Sequence, residues 1–283
     1  MLSLVRWLSR WPLWLLHALG SGLGWLVYGL SPSYRTRLCE NAALAGVDGA
    51  ARRAAVGEAG RLVAELPRLW MRAPGQAIED PVHWEGAEWL QGLLDQGRGL
   101  VLLTPHMGSF EVSAQAYAER FGQRQPITVL YRPARQRWLR DLEATARARP
   151  ALATAPATLA GVRRMLRALR RGETVGLLPD QVPPEGLGVW APFFGRPAYT
   201  MTLAARLVQQ TGAAVAVLWT ERLPRGAGYV VRALPLAEAL PEAGDELSAT
   251  AINHTMEAVI RRCPAQYLWG YNRYKTPRRE EAA

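Results

Sequence analysis

The sequence predicts an α/β fold: a mostly parallel central sheet flanked by helices, preceded by an N-terminal apolar, membrane-anchoring helical segment. Three observations carry that expectation. Short apolar runs bounded by Gly, Pro and polar residues alternate with stretches of helical periodicity, the order expected of a sheet covered by helices on both faces. The run LVLLT (100–104) is apolar throughout and ends on a proline, as a buried strand does. Finally, Trp11 to Leu30 contains no Asp, Glu, Lys or Arg.

The elements follow in chain order. Residues 51–72 read as a helix, with Val56, Leu62, Val63, Leu66 and Leu69 at three- and four-residue spacings. MRAPGQAIEDP is a turn-rich connector. HWEGAEWLQGLLDQGRG starts as a short strand, becomes a helix and closes on Gly97 and Gly99. The strand at 100–104 is followed by a helix over 110–121, a strand in PITVLYRP (126–133) and a helix over 135–147. A basic amphipathic helix over 159–171 leads into a third strand, TVGLLPDQ (174–181), which ends in polar residues. VPPEGLGVWAPFFGRPAYT reads as a loop because of its Pro and Gly content. A helix near 201–211, strands at 213–221 and 228–234, and a helix near 246–262 complete the order. With no internal repeat, the expected organisation is an anchoring segment over 1–35 and a single α/β domain over 36–283.

The uncharged N-terminal stretch supports three readings. As a helix, 20 residues reach about 30 Å, the thickness of a bilayer's hydrocarbon core. Arg6 and Arg10 precede it, Arg35 and Arg37 follow it, and Trp7, Trp11, Trp14, Trp25 and Tyr28 suit the headgroup level. A signal peptide fits the basic start, but the tryptophans and Pro12 oppose it. A full span is diluted by Gly20, Gly22, Gly24 and Gly29. An interfacial anchor fits both flanks and the aromatic residues. The plainest alternative is an apolar helical pair packed on the body of the domain.

The formal net charge is +10, from 34 basic and 24 acidic residues, and Lys275 is the sole lysine. A GC-rich coding sequence accounts for most of the arginine bias. The sign still favours anionic partners. Nucleic acid is not expected, since there is no recognisable reader motif or basic-aromatic stripe. Cys39 and Cys263 match no metal spacing, and the four histidines are scattered at 17, 83, 106 and 254, so no metal site is expected.

In parallel sheets, ligand sites collect beyond the carboxyl ends of the strands. His106, Arg132 and Asp180 each fall at or just past such an end. In the segment TPHMGSFE, His106 and Glu111 are separated by four residues. On an ideal helix that spacing turns by about 500°, leaving the side chains about 140° apart. They meet only if His106 lies in the strand-to-helix turn and Glu111 in the first helical turn. Pro105 marks the strand end, Gly108 permits an unusual turn and Ser109 is a candidate N-cap. So placed, Glu111 orients the ring while the other nitrogen takes a proton from a hydroxyl. No G-x-S-x-G and no phosphate-binding G-x-x-x-x-G-K-[ST] is present. Direct activation of an acceptor hydroxyl against an acyl thioester fits this pattern. Taken alone, Arg132 reads equally as an anion clamp or a surface ion pair. Asp180 reads equally as a turn former or as a partner for Arg132 or a sugar hydroxyl. Arg196, in Gly-Arg-Pro, also reads as a plain turn. The arginines at 163, 164, 167, 170 and 171 read first as a solvated face.

The ordered set TPHMGSFE, TVLYRPAR, LLPDQVPPEGLGVWAPFFGRPAYT and QYLWGYNRYKTP resembles the late (lauroyl/myristoyl) acyltransferases of lipid A biosynthesis. These lie within the glycerolipid-type acyltransferases that carry His-x-x-x-x-Asp/Glu. The resemblance runs over nearly the whole chain. It implies transfer of a fatty acyl chain from acyl carrier protein, through its phosphopantetheine arm, to a hydroxyl on a 3-hydroxyacyl chain of a lipid A precursor. Acyl-CoA is the alternative donor, and no other cofactor is implied. The place of action it implies is the cytoplasmic face of the cell inner membrane. Residue by residue, it assigns catalysis to His106 and Glu111 and substrate binding to Arg132, Asp180 and Gln181. Arg196 follows the Phe193–Gly195 loop motif and joins the binding set. Two alternatives remain: another anionic acceptor, such as a lysophospholipid or glycolipid, or a non-catalytic membrane-attached binding protein.

Overall fold

A computed structural model describes residues 2–279, except residues 74, 133–135, 137, 139, 141, 144, 145, 147 and 148. Four helices open the chain: α1 (Leu2–Leu8), α2 (Leu13–Leu30), α3 (Pro32–Leu44) and α4 (Gly49–Trp70). The α/β body then runs β1 (Val82–Glu85), α5 (Ala87–Leu94), β2 (Leu100–Leu103), α6 (Phe110–Phe121), β3 (Ile127–Tyr131) and β4 (Leu152–Pro156). It continues with α7 (Leu159–Arg170), β5 (Thr174–Leu177), β6 (Gly188–Phe193), β7 (Arg196–Met201) and α8 (Leu203–Thr211). It closes with β8 (Ala214–Arg222), β9 (Tyr229–Leu234) and α9 (Asp245–Arg262).

Seven strands form one sheet in the order β1-β9-β8-β2-β5-β3-β4. All neighbours are parallel except β8 and β9, which pair antiparallel. The expected mostly parallel sheet is therefore present. Its centre shows why the apolar runs are continuous. In β2, Val101 and Leu103 join a core with α3, α4, α8 and α9, while Leu100 and Leu102 join a second core with α5 and α6. Successive strand residues face opposite ways, so a strand covered on both sides needs apolar residues at every position.

Two expectations are corrected. The segment read as a Pro/Gly-rich loop is a hairpin, with β6 and β7 paired antiparallel outside the main sheet. Its prolines face each other at Pro192 and Pro197, a position open to them because a two-stranded ribbon is all edge. Phe194 and Gly195, at φ 47° and 75°, form the two-residue turn, whose backbone matches the strand twist. The strand β4 was also unforeseen; Ala153 to Pro156 is poor in β-branched residues, and its pairing with β3 supplies what propensity lacks. The helix expected over 135–147 falls largely outside the described residues.

Helix α2 packs on α4 through glycines. A Cβ built on Gly60 would lie 1.9 Å from the Gly20 carbonyl oxygen, so backbone meets backbone there. The opposite side exposes Trp14, Leu19, Leu23, Trp25, Leu26 and Leu30. Helix α2 is thus packed on the body on one face and apolar toward the outside on the other. Gly60→Ala is expected to cost about 1–3 kcal/mol, because the clash is with main chain rather than a movable side chain. A lowered thermal midpoint would report it; an unchanged midpoint would show that the helices separate freely.

Candidate active site

The topology explains why distant residues meet. β2 and β5 are adjacent and parallel, and their last residues, Leu103 and Leu177, are in register. His106 and Asp180 each lie three positions further on, so they leave the same sheet edge side by side. The His106 Nδ1 lies 2.7 Å from Asp180 Oδ1, and the His106 backbone N–H donates to Asp180 Oδ2 at 2.9 Å. One carboxylate holds both the ring and the main chain of the same residue.

Asp180 is 1% exposed and the His106 side chain 18%. Burial pushes the Asp180 carboxyl up, but the His106 charge and hydrogen bonds, with the Arg273 charge behind them, outweigh it and hold it below its ordinary range. An ionised carboxylate only accepts hydrogen bonds, so Nδ1 is the donor, and in the neutral form of the ring the lone pair lies at Nε2. Tyr267 lies against the same carboxylate; burial and the Asp180 charge push its hydroxyl well above the usual phenol range. The His106 ring also packs in an edge-type contact with Phe110, with centroids 5.1 Å apart.

The turn between β2 and α6 is fixed on several sides. The Gly108 N–H donates to the Gln266 carbonyl and the Ser109 N–H to the Thr220 carbonyl, each at 2.9 Å. The His106 carbonyl accepts from the Leu268 N–H at 3.2 Å. Gly108 has φ +58°, and a Cβ there would stand 1.9 Å from the Thr220 oxygen. Glycine is therefore required both by conformation and by space. Ser109 occupies the N-cap position of α6 but makes no capping bond; its hydroxyl donates instead to Glu65 Oε1 at 2.6 Å. A buried carboxylate is the stronger acceptor.

The predicted site residues are distributed as follows. His106 and Asp180 are brought into direct contact. The ring is held at Nδ1 by Asp180, because adjacent strand ends deliver Asp180 beside residue 106. Glu111 itself stands in the first turn of α6, half-buried, and accepts from the Trp70 indole N–H at 3.4 Å. Asp180, expected to orient Arg132 or a sugar hydroxyl, instead serves the histidine. Arg132 follows the end of β3, which neighbours β5, so it belongs to the same sheet edge and is exposed. Gln181, next to Asp180, is half-buried. Arg196 is exposed on the hairpin, its guanidinium 4.7 Å from the centre of the Tyr274 ring.

Sequence reading missed Glu65, Arg222, Arg273 and Tyr267. A signal existed for Glu65: it falls on the buried stripe of α4 with Leu62 and Leu69, whereas Val63 is exposed. A carboxylate at a core position of an amphipathic helix needs a partner. Arg222, at the end of β8, is that partner.

Comparison with known proteins gives the family. The model of the bacterial lipid A biosynthesis acyltransferase family matches residues 2–276. A lipid A biosynthesis lauroyltransferase of Escherichia coli strain K12 is 29% identical over 192 residues, which are 68% of this chain and 61% of that protein. The match thus spans a little under two thirds of that relative's length. A palmitoleoyltransferase of lipid A biosynthesis from the same strain is 29% identical over 219 residues, 77% of this chain and 69% of that one. A Shigella flexneri lipid A biosynthesis acyltransferase shows the same figures. With a family match running almost end to end, the chain belongs to the bacterial lipid A biosynthesis acyltransferase family.

Proposed function

We propose that this enzyme transfers a fatty acyl chain from an acyl thioester to a hydroxyl of a lipid A precursor, with His106 as general base. The observation that carries this reading is the contact between His106 Nδ1 and the buried Asp180 carboxylate. In this mechanism Nε2 takes the acceptor hydroxyl proton as the oxygen attacks the thioester carbonyl. Asp180 remains ionised and stabilises the imidazolium that forms. Collapse of the tetrahedral adduct breaks the carbon–sulfur bond, and the imidazolium returns the proton to the departing thiolate. Glu111, in the first turn of the helix that follows, adds a second carboxylate close in sequence to the base. Arg132 and Gln181, on the same sheet edge, hold anionic and polar groups of the acceptor; a guanidinium fork suits a phosphate.

The donor in this reading is acyl carrier protein, an acidic partner for which the exposed arginines 163, 164, 167 and 170 of α7 are suited. Action at the cytoplasmic face of the inner membrane accords with the exposed apolar side of α2. That side lies flat at the interface, since the other side is packed on α4. Trp14→Glu combined with Leu26→Glu is expected to release most of the protein from sedimenting anionic vesicles; unchanged sedimentation would remove α2 from membrane attachment.

The reaction is tested by mass spectrometry of the lipid A fraction from cells with and without the protein. A gain of one acyl chain, absent with His106→Ala, is expected. An unchanged fraction, with acylation of a lysophospholipid instead, would replace the acceptor.

A further inference from the structure

We propose that Glu65 and Arg222 are positioning residues: a buried ion pair that fixes the turn bearing His106 and ties it to the N-terminal helix. The inference rests on the reading of His106 as the base. Asp180 grips the turn from the β5 side; this pair grips it from the other. Arg222 donates from Nε to Glu65 Oε2 at 2.8 Å and from Nη2 to Glu65 Oε1 at 2.9 Å. The same Nη2 donates to the Gly108 carbonyl at 3.0 Å, two residues from His106. Nη1 reaches Glu58 Oε2 at 2.7 Å. Glu65 is fully buried and accepts from the Ser109 hydroxyl, the next residue of the turn, at 2.6 Å. It also receives His17 Nε2, from α2, at 3.0 Å, and the Tyr229 hydroxyl at 3.3 Å.

The arrangement exceeds what stability alone explains. Buried ion pairs contribute little net stability over an apolar pair of the same shape, and their best-attested use is to specify one arrangement among several. Here both partners spend a hydrogen bond on consecutive residues of a turn whose neighbour must present Nε2 to a reacting hydroxyl. Ser109 gives up its capping role to do so. A base misplaced by about 1 Å loses much of its rate, so the pair's effect belongs on kcat rather than on substrate binding. His17 extends the network into the helix whose outer face is apolar, so seating of α2 and placement of His106 share one set of bonds.

The test uses the full-length protein in detergent, with Ser109→Ala, the shape-preserving Ser109→Cys and the hydroxyl-preserving Ser109→Thr. Ser109→Ala and Ser109→Cys are expected to lower kcat roughly ten- to a hundred-fold with KM within about twofold. Ser109→Thr is expected to recover part of that loss. Proton NMR supplies a readout independent of acyl transfer. The His106 Nδ1 proton, assigned by its loss in Asp180→Asn, should shift and broaden in the alanine and cysteine variants. If both keep wild-type kcat and an unchanged Nδ1 resonance, the inference is wrong. If the wild type transfers no acyl chain, the functional reading fails, and the resonance alone still decides whether the pair positions the ring.

Discussion

His106→Ala is expected to lower acyl transfer roughly 10²–10⁴-fold, the usual contribution of a general base, while the sheet and its cores remain intact. The side chain lies at the mouth of the strand-to-helix turn and is partly exposed, so its removal opens no core cavity. Asp180→Asn is expected to act in the same direction by another route. An amide keeps the shape but turns a donor toward one of the two N–H groups of residue 106. The ring then either loses its anchor or adopts the tautomer with Nε2 protonated, which cannot accept a proton. The Asp180 carboxyl is held below its ordinary range, so its contribution is complete at neutral pH and is lost only as pH falls through that depressed value. Activity that weakens nearer neutrality therefore reports a different group. Steady-state kcat for both variants, beside unchanged far-ultraviolet circular dichroism, checks the pair; wild-type kcat in His106→Ala would sink the assignment of the base.

The boundary between what was legible in the sequence and what was not follows the range of the interactions. Leu100 to Leu103 announced a strand because each residue satisfies one of two cores. Phe110 to Phe121 announced a helix by local periodicity, and the structure gives it the same limits. The strand-end rule placed His106, Arg132 and Asp180 on one edge. The Asp180 contact at Nδ1 of His106 was not legible, because it depends on which strands are neighbours. The order β2-β5 puts a residue 74 positions away in contact, whereas sequence proximity favoured Glu111. The hairpin β6–β7 was hidden by its prolines, which signal a loop unless an edge ribbon is admitted. Glu65 and Arg222 were hidden for the same reason as Asp180. Each is unremarkable alone, and only the packing of α4 against the end of β8 shows that one is the other's counter-charge.

That counter-charge relation sets the largest stability effect expected. Arg222→Leu leaves the Glu65 carboxylate buried without its cation, and breaking such a pair costs about 3–5 kcal/mol. A domain's total stability is about 5–15 kcal/mol, so the variant should melt far below the wild type. Burial pushes the Glu65 carboxyl up, but Arg222, His17 and Ser109 together bring it down from 4.5 to about 2. A depressed carboxyl stabilises the fold above its unfolded value and loses that contribution as pH falls through the folded one. By that relation Glu65 contributes about 3 kcal/mol at neutral pH, to be lost between about pH 4.5 and 2. Glu65→Gln should flatten this part of the acid-unfolding curve. Replacing both partners, Glu65→Leu with Arg222→Met, removes the unpaired charge and should recover much of the stability lost in Arg222→Leu alone. The double variant should still transfer acyl chains poorly, because neither apolar side chain bonds to Gly108 or Ser109. Recovery of the melting temperature without recovery of kcat would separate the two effects of this pair: one on whether the chain folds, the other on where His106 stands once it has. If the double variant regained both, the pair would contribute only to folding, and Asp180 alone would place the base.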